Sequence, residues 1–471
     1  MTRRGTLAVV AALVLLLPAG CGQYPGVREN LAGQRGSDGL GGDGTGVGAG
    51  APGTGGPGTE GGPGDASDGG GAPGAGSGGN GSGGGQSGGG GDGGGSGGGD
   101  STGVTADRIT IGIHAPLTGA APLRQESFDA GKDLYWRHGN GGDPVTIHGR
   151  QVEVIFADDR YRPSHARQVC QQMAEQGEAF LLIGGGGTDQ IQSCAQYAAS
   201  RGVPYLSAGV TELGLRRLRS YFAASQSYPQ QARLLADYIR KELGVTDASR
   251  VAAVITNTPN FDDATEAFQR AFPGVRVFRP DKNENGGSTA GNLCTGPNAN
   301  FDVVFPLVAP TFYLEMAAAA ACRPQYAGVG VSMGLDQVAS VGCEAGRSTE
   351  NARFFSPAPS FEDARQGRWD DQFMRAAAAA GVTPDDIMWL LWGQSKALHA
   401  LLDNAGQQLT RERFIARTEN ARVRTGVFPE LRYTPSDHFG AQEVHVLRNV
   451  CQRRGGAAGY YVTEHAFVRS F

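Results

Sequence analysis

Past the first twenty or so residues, no apolar run approaches the roughly 20 residues that a membrane-spanning helix needs, so the body of the chain is expected to be soluble. The net charge is −5 over 471 residues. That mild balance lacks the basic excess of a nucleic-acid binder, and nucleic acid is set aside as a partner. There is no C-x-x-C pair and no Cys/His spacing that suits a metal. The Gly-Lys-Ser/Thr of a phosphate-binding P-loop is missing, and so is a G-x-G-x-x-G fingerprint with its downstream acid. The sequence therefore implies no cofactor and no metal.

From about Gly33 to Gly103 the chain also lacks anything to bury. It is glycine with Ser, Asp, Pro and Ala, and most of the 77 glycines lie here. Such a segment does not offset the entropy of folding and is expected to be a flexible tether. About 80 residues of this coil reach roughly 50 Å end to end. Ahead of it, Arg3 and Arg4 precede an apolar run from Leu7 to Leu17 and a small-residue end, Pro18-Ala-Gly-Cys21. This pattern is a targeting segment. Its ending resembles a bacterial lipobox, with Pro18 where leucine is usual, and implies lipidation at Cys21. The expected organisation is a leader over 1–21, a tether over 22–104, and a folded body from Thr105 to Phe471.

That body is too long for one simple core and suits two lobes. Strands and helices alternate. Arg108–His114, Gln151–Ala157, Phe180–Ile183 and Pro204–Ser207 read as strands, and Ser127–His138, Pro163–Gln176 and Asp189–Ser200 as helices. The series restarts with helix Pro229–Leu243 and strand Arg250–Thr256, then helix Asp262–Phe272 and strand Val275–Phe278. Strand Asp302–Leu307, helix Thr311–Cys322 and strand Gly328–Ser332 complete it. The fold class is α/β, with two parallel sheets covered on both faces and strand ends facing a shared crevice.

One stretch organises the rest, Phe180-Leu-Leu-Ile-Gly-Gly-Gly-Gly-Thr188. A buried strand runs into four glycines that let the backbone approach a ligand. Thr188 stands where a helix N-cap would, with Asp189 and Gln190 opening the first turn. Free amides and a positive dipole end at such a place suit a carboxylate.

Four segments in order carry a family resemblance: Ile111-Gly-Ile-His-Ala-Pro-Leu-Thr-Gly119, Gly149-Arg-Gln-Val-Glu-Val-Ile-Phe-Ala-Asp-Asp159, Gly202-Val-Pro-Tyr-Leu-Ser-Ala-Gly-Val-Thr211 and Thr425-Gly-Val-Phe-Pro-Glu-Leu-Arg-Tyr-Thr-Pro435. They resemble the leucine/isoleucine/valine-binding type of ABC-transporter substrate-binding protein. The resemblance implies two Rossmann-like lobes, the type I periplasmic-binding fold, joined by three hinge strands that close on a solute. Carried over, the crossings fall near Arg219–Tyr228, Asn351–Ser356 and Phe428–Tyr433. Lobe 1 would be 105–227 plus 354–426, and lobe 2 would be 228–353 plus 427–471.

The resemblance also implies site residues. Thr188 with Gly187, and Ser207 with Gly209 and Thr211, match the half-site that holds a carboxylate. Arg124 stands where a loop tyrosine is usual, and could supply a fixed bidentate cation. Phe261 stands where a clamping tyrosine is usual. The acid that would pair an α-ammonium falls near Met333, with Asp336 the nearest carboxylate. The implied protein is an extracytoplasmic solute-binding lipoprotein of an ABC importer, monomeric, membrane-attached through Cys21. It would take an amino acid or related carboxylate and deliver it to a permease. A sensor of the same fold is the alternative.

A rival from another class rests on Gly330-Val-Ser-Met-Gly334, which matches the G-x-S-x-G elbow of serine hydrolases, with His438, His445 and His465 downstream. No HGGG-like oxyanion segment accompanies it, and no catalytic residue is assigned. Asp158-Asp159 and Asp262-Asp263 sit at strand and helix ends, where solvated or capping roles are usual. Trp389 and Trp392 on one helix are expected in the core. Six cysteines besides Cys21 suggest disulfides in an exported body. They allow 15 connectivities. Helix adjacency favours Cys170–Cys194 and Cys294–Cys322, leaving Cys343–Cys451.

Overall fold

The computed structural model describes residues 99–295 and 299–471. The leader with Cys21, and the tether before Gly99, lie outside the described residues. Among those described, no helix is long and apolar enough to cross a membrane.

The first sheet contains β1 (Arg108–Ala115), β2 (Thr146–Ile147), β3 (Arg150–Asp158), β4 (Leu181–Gly184), β5 (Tyr205–Ser207) and β6 (Tyr221–Ala223). Its order is β2-β3-β1-β4-β5-β6, parallel except for the β2–β3 edge. The central strands are apolar on both faces because helices cover both: Ile109, Ile111, Leu181, Leu182 and Ile183 are all buried. Register places His114 of β1 opposite Gly184 of β4, and Gly184 opposite Ser207 of β5. The chain runs from β1 outward to β3, then returns to the other side of β1 as β4. That reversal is a topological switch point, and its carboxyl edge is Ala115 beside Gly184.

The second sheet contains β7 (Val251–Ile255), β8 (Arg276–Phe278), β9 (Val303–Leu307), β10 (Gln325–Gly328) and β11 (Arg353–Ser356), in the order β11-β10-β9-β7-β8. Between β11 and β13 comes the short β12 (Arg422–Val423), which pairs with β13 (Leu431–Arg432) as a separate ribbon. Antiparallel strands β14 (Val444–Val450) and β15 (Tyr460–Val468) then extend the second sheet beyond β11. Helix Tyr228–Lys241 enters this lobe through a capping box, in which Ser227 and Gln230 satisfy each other's backbone amides.

Several sequence expectations shift here. The strand expected over Gly328–Ser332 is β10 ending at Gly328, followed by a 3₁₀ turn at Val331–Gly334. β11 stays hydrogen-bonded within the second sheet, so the chain crosses after Ser356 and not inside the strand at Phe354. The third crossing also lies later than Phe428–Tyr433. His438 and Phe439 still bond to Tyr221 and Ala223 of the first sheet, and the chain reaches the second only at Val444. Ahead of Thr105, where the body was expected to begin, Asp100 is already bonded into it. The Asp100 carbonyl accepts from the Arg411 amide at 2.8 Å. The buried Arg411 guanidinium reaches Asp100 Oδ2 at 2.5 Å, Phe180 O at 3.0 Å and Ala179 O at 2.7 Å.

Disulfides join Cys170–Cys194, Cys294–Cys322 and Cys343–Cys451. The one grouping of metal-type ligands among the described residues, His114 with Cys170 and Cys194, has both its sulfurs tied in a disulfide.

Candidate ligand-binding cleft

The glycine turn is shaped by close approach. A Cβ on Gly184 would lie 1.7 Å from the Tyr205 hydroxyl, so only glycine fits over that ring. Gly186 adopts φ +109°, and a Cβ there would meet Pro116 at 2.3 Å. The helix that follows is Thr188–Ser200, and its cap is Gly187. Thr188 is therefore the first helical residue and not the cap, because the backbone turns helical one residue earlier than expected. The first bond of the helical ladder is Ile191 N–H to Gly187 O at 2.9 Å, which leaves the preceding amides outside it.

A buried polar chain braces this turn from beneath. His114 Nδ1 lies 2.8 Å from Asp159 Oδ2, and His114 Nε2 lies 2.7 Å from the Tyr205 hydroxyl. His114 and Asp159 are fully buried. Asp159, expected at a solvated strand end, instead fixes the ring under the site. Burial pushes the Tyr205 phenol well above its ordinary value, so it stays protonated. Alongside, the Ser207 hydroxyl donates to the Ala208 carbonyl at 2.7 Å and lies 3.0 Å from Tyr221 Oη.

Above the turn lies a cavity of about 160 Å³ between the carboxyl edges of the two sheets. The first lobe contributes Gly184–Gly187, Ser207, Gly209, Leu123 and Phe128, and the second contributes Tyr228, Gln231, Val331, Ser332 and Ser356. Of the residues expected from sequence, Gly187, Ser207 and Gly209 come together in this lining. The Gly209 amide is committed, since it donates to Ser225 Oγ at 2.7 Å.

Four expected residues are not among the lining, each for a visible reason. Thr188 is buried beside Tyr228. Burial raises the Tyr228 phenol above its ordinary value, and a hydrogen bond with the Thr188 side chain partly offsets this. Thr211 turns toward the other lobe, where its hydroxyl donates to Asp263 Oδ2 at 3.0 Å. Arg124 is held by Asp385, with Nη2 to Oδ2 at 2.6 Å. Phe261 follows β7, at the switch point between β7 and β9, whereas the cavity opens at the ends of β10 and β11. Its ring packs edge-on against Tyr228 instead, with centroids 6.0 Å apart. Asp336 is outside the lining too: its Oδ1 accepts from Tyr461 N–H at 2.8 Å.

The helix carrying Trp389 and Trp392 is Asp386–Ala405, and sequence reasoning missed its other face, which supplies Ile387, Leu390, Leu391 and Gln394 to the cavity wall. The signal was present, since these positions follow the i, i+3, i+4, i+7 spacing of one helical stripe. Trp389 and Trp392 obscured it. Both are buried on the opposite side, donating to Pro359 O and Asp370 Oδ2 at 2.9 Å each. Glu443 and Val444, at the third crossing, were also missed.

Direct contacts hold the lobes together over the cavity. Asp189, at the start of helix Thr188–Ser200, accepts from Asn260 Nδ2 at 2.6 Å and pairs with Lys282. Gln337 Nε2 donates to Pro122 O at 2.9 Å. Ser332 lines the cavity, but the three histidines lie elsewhere. His438 Nδ1 lies 2.9 Å from Tyr221 O, His445 is buried in β14, and His465 Nε2 lies 3.8 Å from Glu242. No hydrogen bond joins Ser332 to any of them among the described residues, and the nucleophile-elbow reading has no base.

Comparison with curated proteins finds no match by sequence. Among solved structures, the chain is similar to a fatty acid ABC transporter substrate-binding protein from Thermomonospora curvata, with 16% identity and a TM-score of 0.65 over 79% of this chain and 95% of that one. It is also similar to a solute binding protein of an ABC transporter from Rhodopseudomonas palustris BisB5, in complex with 3,4-dihydroxybenzoic acid. That match has 17% identity and a TM-score of 0.59, covering 77% and 99% of the two chains. A leucine binding protein from Thermotoga maritima matches at 15% identity and a TM-score of 0.58, covering 76% and 98%. At these identities the likeness is one of fold. The family model described as periplasmic binding protein matches residues 108–455, a span that takes in every cavity-lining residue, and the chain belongs to that family.

Proposed function

We propose that this chain is the extracytoplasmic solute-binding component of an ABC importer, attached to the membrane by a lipid on Cys21. It closes by a hinge over a small carboxylate-bearing solute and presents it to a permease. One observation carries the reading: the cavity sits at the switch point of the first sheet, under a second lobe bonded across it by Asn260 and Gln337. The backbone of Gly186 and Gly187 at the helix start offers an anionic group its seat. The Thermomonospora fatty acid ABC transporter substrate-binding protein, the Rhodopseudomonas protein in complex with 3,4-dihydroxybenzoic acid and the Thermotoga leucine binding protein support a carboxylate as the common ligand chemistry. Family membership makes the protein a binder and not an enzyme.

The test is a thermal-shift screen of the purified protein against amino acids, organic acids, amides and sugars. A solute at 100 times its Kd stabilises by about 2.7 kcal/mol, a rise of a few degrees. Gly185 lines the cavity and a Cβ there meets nothing within 4 Å, so Gly185→Leu is expected to fold and to obstruct the cavity. The shift is expected with carboxylates and lost in that variant. No shift with any class would end the solute-binding reading. For the anchor, Cys21→Ser is expected to move the protein from the membrane fraction to the medium; retention on the membrane would contradict it.

A further inference from the structure

We infer that the solute is a monocarboxylate with a compact apolar body, an aryl or short branched acyl acid, and that the site discriminates against α-amino acids because Arg469 masks its one carboxylate. This rests on the cleft being the solute site, and deepens that reading.

The cavity wall is mostly hydrocarbon, with Leu123, Phe128, Val331, Ile387, Leu391 and Phe428 as its bulk. At about 160 Å³ it matches the ~150 Å³ apolar cavity that takes benzene in another protein. A ring or a branched chain of five or so carbons fills such a volume. Among the described residues, the lining contains no Lys, Arg or His. An acid headgroup is therefore seated by neutral donors, the backbone at Gly186 and Gly187, and not by a cation.

An α-ammonium needs both a counter-charge and acceptors when taken from water. Among the described residues, the only carboxylate in the lining is Glu443. Its Oε1 already accepts from Arg469 Nε at 2.7 Å, with Glu443 mostly enclosed and Arg469 largely exposed. The pair is neutral as a unit, and an ammonium brought to Glu443 would face the guanidinium. The other acids near the cleft are committed as well. Asp385 holds Arg124, and Asp386 Oδ2 accepts from Asp336 N–H at 2.7 Å. The cavity therefore lacks the group that a zwitterion requires.

The experiment compares three ligands of one skeleton by calorimetry on the purified protein: 4-methylpentanoate, L-leucine and 3-methylbutylamine, with benzoate as the ring-bearing acid. Either acid is expected to bind at least tenfold more tightly than leucine, and the amine not to bind. In Arg469→Ala, a surface truncation that exposes Glu443, leucine is expected to gain at least tenfold while the acids gain nothing. Leucine binding as well as or better than both acids in the wild-type protein overturns the inference and leaves the solute-binding reading standing. Leucine affinity unmoved in Arg469→Ala overturns the masking role. Failure of all four ligands overturns the inference; only failure of the wider screen as well removes the solute-binding reading.

Discussion

The Thr211 hydroxyl of the first lobe donates to Asp263 Oδ2 of the second at 3.0 Å, and the Glu212 amide donates to the same oxygen at 2.6 Å. One carboxylate thus ties down a whole turn across the cleft. Asp263 also opens helix Asp262–Ala271, so the anion stands at a favourable dipole end. Under the proposed hinge closure the bond acts as a latch, and its loss should be felt as a change of lobe population.

Asp263→Ala is therefore expected to weaken solute binding without touching the cavity. It leaves a hydroxyl and an amide unpaired, costing about 1–3 kcal/mol. If the closed state bears that cost, affinity falls by roughly tenfold or more. Calorimetry on the variant checks this. Unchanged affinity would show that the contact has no part in closure.

Arg411 is expected to be among the costliest single truncations. Its guanidinium satisfies the carbonyls of Ala179 and Phe180 at the entrance to β4, and holds the start of the body through Asp100. Arg411→Ala should cost about 3–5 kcal/mol, from the buried carbonyls and the unpaired acid. A protein cut to begin at Thr105 should unfold earlier than one beginning at Gly99. Equal melting of the two would refute the clamp.

Asp386 makes stability depend on pH. Burial first, then Asp385, pushes its carboxyl up to about 6 from 3.8, while Asp336 N–H and Arg124 oppose the rise. Asp336, beside it, is also raised well above its ordinary value, by burial and by Asp386. A raised folded-state value means that the stabilising contribution is complete below about pH 4 and lost as pH rises through about 6. Asp386→Asn should flatten stability across that window and raise it at pH 7 by up to roughly 3 kcal/mol. Denaturant melts of both proteins at pH 4, 5, 6 and 7 check this. Parallel pH profiles would count against it.

The disulfides should rank by the chain they close. Cys343–Cys451 spans 108 residues and Cys170–Cys194 spans 24. Chain entropy gives roughly 4.8 and 3.4 kcal/mol for these. Paired Cys→Ser variants melted under identical conditions should lose more stability at the longer bridge; the opposite order would contradict the entropic account.

Much of this was legible in the sequence because burial writes a simple code. The apolar runs at Ile109–Ile113 and Phe180–Ile183 announce strands covered on both faces, and the glycines after Ile183 announce close approach. What the sequence hid depended on tertiary partners. Thr211 and Arg124 carry groups suited to a ligand, but Asp263 and Asp385, far along the chain, claim them. Asp159 reads as a solvated or capping acid at a strand end until His114, 45 residues earlier, is seen against it. The cavity face of helix Asp386–Ala405 was masked by two tryptophans that dominate its other side. Which of two apolar stripes faces a ligand is decided by the packing of the lobes, and periodicity alone is silent on it.

The central claim is that the backbone turn at Gly184–Thr188 seats the solute, and amide hydrogen exchange tests it most directly. With saturating 4-methylpentanoate or whichever solute the screen returns, a peptide covering residues 180–191 should exchange more slowly than in the free protein. A peptide from the start of helix Asp386–Ala405 should follow it. A solute that binds and stabilises the protein while leaving both peptides unprotected would contradict the account.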